Sequence, residues 1–261
     1  MAMTVSEIRG LLREADEKGL AALERSLAAD QRKGVKSAIE VARRRIEGEK
    51  RERERVAALY AYEASFLGEG QRVIVGLDEV GRGAVAGPLA VGAVVLPSEP
   101  HIEGLNDSKQ LTPEQREIVA EQVKEKALAW TVVYVDPADI DRNGITDSLR
   151  HAFTEAVAEI EERGIEVDVV LLDGNPLRID KREKNVVKGD SKCASIAAAS
   201  IVAKVTRDAL MCDLAQSYPG YDLGGNKGYG SPQHIEAIKA KGLSPIHRAS
   251  FCRSFMQESL F

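Results

Sequence analysis

The chain has little cysteine: Cys193, Cys212 and Cys252 are the only three in 261 residues. An odd count without metal-ligand spacing argues against a disulfide framework and points to free thiols in a reducing compartment. No uninterrupted apolar run is long enough to span a bilayer. The N-terminus, Met1-Ala2-Met3-Thr4-Val5-Ser6-Glu7, lacks a basic-then-apolar signal pattern. The expected location is therefore cytoplasmic. Positive charge is not in excess either. A net charge of -5 argues against a polycation that coats nucleic acid, although a local basic face is compatible with it. There is no Gly-x-x-x-x-Gly-Lys-Ser/Thr loop, which a P-loop phosphotransferase would need. Proline is missing from residues 1–70. Hydrophobic residues make up 44% of the chain, as in soluble globular proteins.

What the chain does have is carboxylates at the ends of regular elements. Val73-Ile74-Val75-Gly76-Leu77 reads as a buried strand and runs into Asp78-Glu79-Val80-Gly81-Arg82-Gly83. A second apolar run, Val167-Asp168-Val169-Val170-Leu171-Leu172, ends in Asp173-Gly174. Asp190 lies in Lys188-Gly189-Asp190-Ser191-Lys192, just before a stretch rich in small residues. Singly, each acid reads as a turn former or a helix cap. Together, Asp78, Glu79, Asp173 and Asp190 would form an all-oxygen cage for Mg²⁺ or Mn²⁺, which offsets the cost of gathering carboxylates.

The chain divides near Gly68-Glu69-Gly70. Residues 1–70 read as helices: one opened by a Thr4/Glu7 capping box and stopped at Gly19, one over 20–29, one over 35–66. Residues 31–55 hold ten basic and five acidic side chains. They form either a solvated face laced with ion pairs or an arm that contacts phosphates. Beyond residue 70, strands are expected at 72–78, 88–96, 129–135 and 167–173. Helices are expected at 113–126, 146–163, 190–216 and 232–240, giving an α/β domain over 71–261 that ends in a helical segment and tail. On this division residues 1–66 are removable, leaving an active core.

These motifs resemble those of the ribonuclease HII family. The matching blocks, in the family's order, are Asp78–Gly83, Asn106-Asp107-Ser108-Lys109, Leu172-Asp173-Gly174, Lys188–Lys192, Ser195–Asp208, Asn226-Lys227-Gly228-Tyr229-Gly230 and His247-Arg248-Ala249-Ser250-Phe251. They cover roughly residues 72 to 255. Arg82 favours this type over ribonuclease HIII, where a Thr replaces the Arg. The chain departs from the family at Ala84-Val85, where Pro-Leu is frequent, and only loosely follows its pattern at Asn175-Pro176-Leu177.

The resemblance implies a ribonuclease H-like mixed sheet flanked by helices. It implies a metal-dependent endoribonuclease that hydrolyses the RNA strand of RNA–DNA hybrids and cleaves at ribonucleotides embedded in duplex DNA, leaving 3′-OH and 5′-phosphate ends. Asp78, Glu79, Asp173 and Asp190 would be the catalytic metal ligands of a two-metal mechanism, with Asp78 bridging. Gly81, Arg82 and Gly83 would read the 2′-hydroxyl. Tyr229 would stack on the sugar at the ribonucleotide–deoxyribonucleotide junction. Lys109, Lys192, Lys204 and Arg207 are candidate phosphate contacts, the last two three apart on one helix face. The run Ala194–Ser200 reads as close helix packing, and His234 and His247 as structural or substrate-facing. A nucleic-acid-binding module with spent acids is the competing reading, but none of the four acids is replaced. A monomer is expected, without membrane association. Gln257-Glu258-Ser259-Leu260-Phe261 resembles a sliding-clamp docking peptide; the alternative is a helix end whose Leu and Phe pack on the core.

Overall fold

The structure, a computed structural model, describes residues 3–256. The clamp-like segment Gln257–Phe261 lies outside the described residues. The chain forms two compact units, Met1–Ala57 and Ala58–Phe261.

The first unit is helical. Helix α1 (Val5–Glu14) starts at the reciprocal Thr4/Glu7 capping box. It stops before Gly19, contrary to expectation. Asp16 instead opens α2 (Glu17–Ser26) by accepting from the Gly19 amide at 2.7 Å, so Gly19 lies in a first turn. Helix α3 (Lys33–Ala64) follows. Ile8, Leu12, Leu20, Val35, Ala42 and Ile46 bury a common apolar face. Arg43, Arg44, Arg45, Arg51 and Arg55 each pair with a glutamate: Glu24, Glu40, Glu49, Glu47 and Glu52 respectively. Exposed pairs of this kind contribute about 0–1 kcal/mol each, so they mainly keep the helices solvated.

The second unit is built on a five-stranded mixed sheet in the order β3-β2-β1-β4-β5. Strand β1 (Ile74–Val80) pairs antiparallel with β2 (Leu89–Val95), which pairs antiparallel with β3 (Ala129–Val135). On its other side β1 runs parallel to β4 (Val169–Asp173), and β4 parallel to β5 (Glu183–Val186). Helices α4 (Pro113–Lys126), α5 (Pro137–Asn143), α6 (Ile145–Glu161), α7 (Ala194–Ser217), α8 (Leu223–Asn226), α9 (Pro232–Lys241) and α10 (Ala249–Met256) complete it.

Strand alternation decides which face the acids take. Val75, Leu77, Val170 and Leu172 share a cluster with Leu149, Ala152 and Phe153 of α6. Ile74, Val169 and Leu171 share another with Ile196 of α7. By period two, Gly76 and Asp78 of β1 and Asp173 of β4 belong to the α7 face. Helix α7 lies very close to the sheet there. A Cβ at Gly76 would collide with Ser195, and one at Gly92 would stand 2.5 Å from the Ala199 carbonyl oxygen.

The end of α3 belongs to this second unit. Leu59 and Tyr60 pack with Val94, Ile102 and Ala198, while Phe66 and Leu67 pack against Ile74 and Ile196. The Tyr60 hydroxyl accepts from the Ile102 amide at 3.1 Å. A cut after residue 66 would therefore strip core side chains from the second unit, whose packing begins at Ala58 rather than after residue 66 as expected.

Candidate active site

Asp78 and Asp173 stand side by side. The parallel register pairs Leu77 with Leu172, and each acid is the next residue on its strand. Glu79 adjoins Asp78, whose Oδ1 accepts from the Glu79 amide at 2.8 Å. Asp190 arrives from the other side on a 3-10 turn, Gly189–Ser191, that precedes α7. This turn is why α7 begins at Ala194 rather than at 190. Its Gly189 amide donates to Asp173 Oδ1 at 2.6 Å, tying two of the acidic segments together.

The electrostatics match a crowded carboxylate cluster. Burial, then the neighbouring Glu79 and Asp173 charges, hold the Asp78 carboxyl well above its ordinary range, against a hydrogen bond from Ser200. Burial also raises Glu79, with Arg82 pulling the other way. Asp173 is raised by burial first and by the charge of Asp190 among lesser causes. Each carboxylate has turned to a protein donor. Glu79 Oε1 lies 3.4 Å from Arg82 Nη1, and Asp190 Oδ2 accepts from Lys109 Nζ at 3.1 Å. Among the described residues, no three His, Cys, Asp or Glu side chains converge closely enough to hold one ion as they stand.

Ser108 and Ser200 lie within the family-like blocks without being singled out by the sequence, and the structure links both to Asp78. Their hydroxyls lie 3.0 Å apart, both buried, and Ser200 also hydrogen-bonds Asp78. The run Ala194–Ser200 thus does more than pack: it presents a hydroxyl to a buried acid. Two small hydroxyl residues look the same in a single sequence whether they fill space or orient a carboxylate.

Beside the acids lies the Gly81-Arg82-Gly83 turn. Gly81 has φ +85°, and a Cβ there would overlap the Arg207 guanidinium. Gly83 differs, since no protein atom lies within 4 Å of where its Cβ would be. The fold therefore requires glycine at 81, while at 83 only something outside the chain would. Arg248 Nη1 donates to the Arg82 carbonyl at 3.1 Å. In a planar trans peptide the next N–H points the opposite way, so this inward carbonyl turns the Gly83 amide outward.

Arg207 corrects the sequence expectation of a phosphate contact. It is fully buried, and its guanidinium donates to the carbonyls of Pro88 and Lys227 at 2.9 Å and of Ala86 at 3.4 Å. It underlies the site rather than facing a substrate. Arg248 is equally buried, donating to Gly87 and Arg82 carbonyls. Burial, then Arg207 nearby, brings Arg248 down to about 10. Lys204 lies on the same helix but is engaged by Asp208 at 2.9 Å. Lys192 is exposed, its ammonium on the Val187 carbonyl at 2.8 Å.

Tyr229 is 39% exposed and sits above Arg207, whose guanidinium carbon lies 5.7 Å from the ring centre. Its loop is fastened to the Gly-Arg-Gly segment, because the amides of Val85 and Ala86 both donate to the Gly228 carbonyl. A buried histidine pair anchors it from below. The Tyr229 carbonyl takes a hydrogen bond from His234 Nδ1 at 2.9 Å, and His234 Nε2 meets His247 Nε2 at 3.1 Å. The Ser244 amide donates to His247 Nδ1, which fixes His247 as the Nε2–H tautomer and His234 as its acceptor. Both histidines are structural, and burial holds His247 down to about 4.

The Ribonuclease HII family matches residues 75–254, and the Ribonuclease HII N-terminal domain matches residues 4–67. The chain belongs to the ribonuclease HII family. Ribonuclease HII of Ruminiclostridium cellulolyticum is 45% identical over 208 residues, 79% of this chain and 80% of that one. The Halalkalibacterium halodurans protein is 40% identical over 249 residues, 95% and 94% of the two chains. Ribonuclease H2 of Pyrococcus horikoshii superposes with a TM-score of 0.59 at 29% identity, covering 71% of this chain and 97% of the other. Two less similar structures share the fold. One is RNase HII of Archaeoglobus fulgidus in a PCNA complex, with TM-score 0.58, 24% identity and coverage of 72% and 98%. The other is Bst-RNase HIII in complex with Mn²⁺, with TM-score 0.59, 21% identity and coverage of 77% and 72%. Membership makes the chain an endonuclease of RNA–DNA hybrids.

Proposed function

We propose that Asp78, Glu79, Asp173 and Asp190 hold divalent cations, Mg²⁺ or Mn²⁺, and that the chain cleaves both RNA–DNA hybrids and duplex DNA at embedded ribonucleotides, leaving 3′-OH and 5′-phosphate ends. What supports this is that four carboxylates from three separate segments lie at or beside the C-terminal ends of the adjacent interior strands β1 and β4, three of them with raised affinity for protons. Such a set fits a hard cation, because all donors are oxygen and their mutual repulsion is what a cation relieves. When bound, a pair of such cations supplies an activated water, neutralises charge on the phosphate and stabilises the leaving oxygen.

The chain's own groups would do the rest. Ser200 orients the Asp78 carboxylate, and Lys109 offers its ammonium at the rim of the cluster. The outward Gly83 amide would meet the ribose 2′-hydroxyl, which separates RNA from DNA. Tyr229 would press on the neighbouring sugar from above the Arg207–Arg248 base. Arg82, Lys109 and Lys192 would meet phosphates; Lys204 would have to leave Asp208 first. A cytoplasmic location fits the unpaired thiols, and no described helix is long and apolar enough to cross a membrane. Calorimetric titration with Mn²⁺ tests the ligand set. Wild type binds, Asp173→Asn binds at least about tenfold more weakly, and equal affinity would remove Asp173 from the set.

The C-terminal peptide 257–261 would tether the enzyme to a sliding clamp and raise its local concentration on new DNA. Wild type should bind purified clamp and a chain ending at Met256 should not; equal binding would end the idea.

A further inference from the structure

We propose that Glu63 is a positioning residue for the carboxylate cluster, acting as the missing N-cap of helix α7; this rests on the reading of the site given above. Helix α7 begins with Cys193 at the capping position, and Cys193 makes no side-chain cap. Its sulfur is a weak acceptor. The first turn is sealed from water: Cys193, Ala194, Ser195 and Ile196 are all fully buried. A buried helix start leaves amide donors unsatisfied unless something else accepts from them.

Glu63 does so from 132 residues away. Its Oε2 accepts from the Ser195 amide at 2.6 Å and from the Ser195 hydroxyl at 2.8 Å, and its carboxyl also hydrogen-bonds the Ala194 amide. Glu63 itself is 7% exposed and its hydrogen-bond partners are the neutral groups of α7. A carboxyl placed there for stability alone would be an expensive choice. Burial pushes it up to about 7, so it caps whether ionised or neutral, since the neutral acid keeps an acceptor oxygen.

What it holds is the site. Gly76 of β1 has no Cβ because Ser195 lies against it, so the capped turn is seated two residues before Asp78. The Cys193 amide donates back to the Gly189 carbonyl at 2.8 Å, joining the helix start to the turn that carries Asp190. Gly189 in turn donates to Asp173, and Ser200, further along the same helix, hydrogen-bonds Asp78. Three of the four acids are thus referenced to the first turns of α7. A displacement of about 1 Å in such a frame can cost on the order of a hundredfold in rate.

The test uses the full chain. Glu63→Met removes the acceptors at nearly constant length, and Glu63→Gln keeps one. Kinetics on a duplex bearing one ribonucleotide and Mn²⁺ calorimetry are run beside wild type and Asp78→Asn. The expected result for Glu63→Met is kcat reduced at least about tenfold, KM within twofold and Mn²⁺ affinity reduced at least about threefold, with Glu63→Gln restoring most of each. A folded Glu63→Met protein with wild-type kcat and Mn²⁺ affinity would overturn the proposal, as would equal losses in both variants. If Glu63→Met does not fold, Ser195→Ala takes its place: a kcat loss of about threefold supports the role and an unchanged kcat refutes it. An inactive wild type would instead overturn the reading of the site itself.

Discussion

At the scale of single residues, two buried arginines explain why the Gly-Arg-Gly turn and the Tyr229 loop hold their shape. Arg207 and Arg248 are fully buried and hydrogen-bond to backbone carbonyls rather than to a carboxylate, an arrangement that costs several kcal/mol unless the N–H groups find acceptors. They spend their donors on the carbonyls of Arg82, Ala86, Gly87, Pro88 and Lys227, which frame the Gly-Arg-Gly turn and the Tyr229 loop. Tyr229 touches none of the acids, so its loss should leave cation binding alone. We expect Tyr229→Ala to lower cleavage at a single ribonucleotide by on the order of a hundredfold while Mn²⁺ affinity stays within twofold. A parallel fall in both would place Tyr229 in the cation site instead. The placement of Asp78, Glu79, Asp173 and Asp190 at the ends of regular elements was legible in the sequence because each closes an apolar run or opens a small-residue one. The arginine pair was not, since a basic side chain reads the same in a sequence whether it faces solvent or a set of carbonyls.

At the scale of elements, a helix start fixed by a local cap was legible to the residue, whereas the start of α7, capped from afar, was expected at 190 and lies at Ala194. Thr112 caps α4 through Gln115 three residues on, and the expected span 113–126 matches Pro113–Lys126. By contrast, α10 is capped by Asp141, which takes the Ala249 amide at 2.7 Å and the Ser250 amide at 3.0 Å, and α7 is capped by Glu63. Strand β5 escaped notice because Glu183-Lys184-Asn185-Val186 has little β propensity and exists by pairing with β4. The α7 cap has a pH signature. Glu63 is held at about 7 against an ordinary 4.5, so the native state binds its proton more tightly than the unfolded chain. Its contribution is fully present below pH 4.5 and is lost as pH rises through about 7. Wild type should therefore lose melting temperature relative to Glu63→Gln as pH goes from about 4.5 to about 7, and no further above about 8. A difference that stays flat across this range would mean that Glu63 is not buried as described.

At the scale of the whole molecule, the sequence boundary near Gly68 and the packing boundary at Ala57 differ for a physical reason. Helix α3 is one continuous helix, and nothing in its composition near Ala57 marks where its side chains leave one core and enter another. We expect a chain lacking residues 1–57 to cleave, and one lacking residues 1–66 to be destabilised and impaired by loss of Leu59, Tyr60 and Glu63. Arginines of the helical extension engage its glutamates, yet residues 31–55 retain a surplus of basic groups, ten against five. If that surplus meets phosphates, removing residues 1–57 lowers the slope of log affinity against log salt by about one for each phosphate it had neutralised. An unchanged slope would assign the extension another role.

On the proposed reading, the four carboxylates perform cation-dependent cleavage of RNA in a DNA context. The most direct measurement is cleavage of a labelled DNA duplex bearing one ribonucleotide, with and without Mg²⁺, by wild type and by Asp78→Asn, with circular dichroism on both proteins. Wild type should cut at the ribonucleotide only when Mg²⁺ or Mn²⁺ is present, and folded Asp78→Asn should be slower by about a thousandfold or more. Cleavage by wild type in the presence of chelator, or a folded Asp78→Asn protein with a near-wild-type rate, would contradict the account.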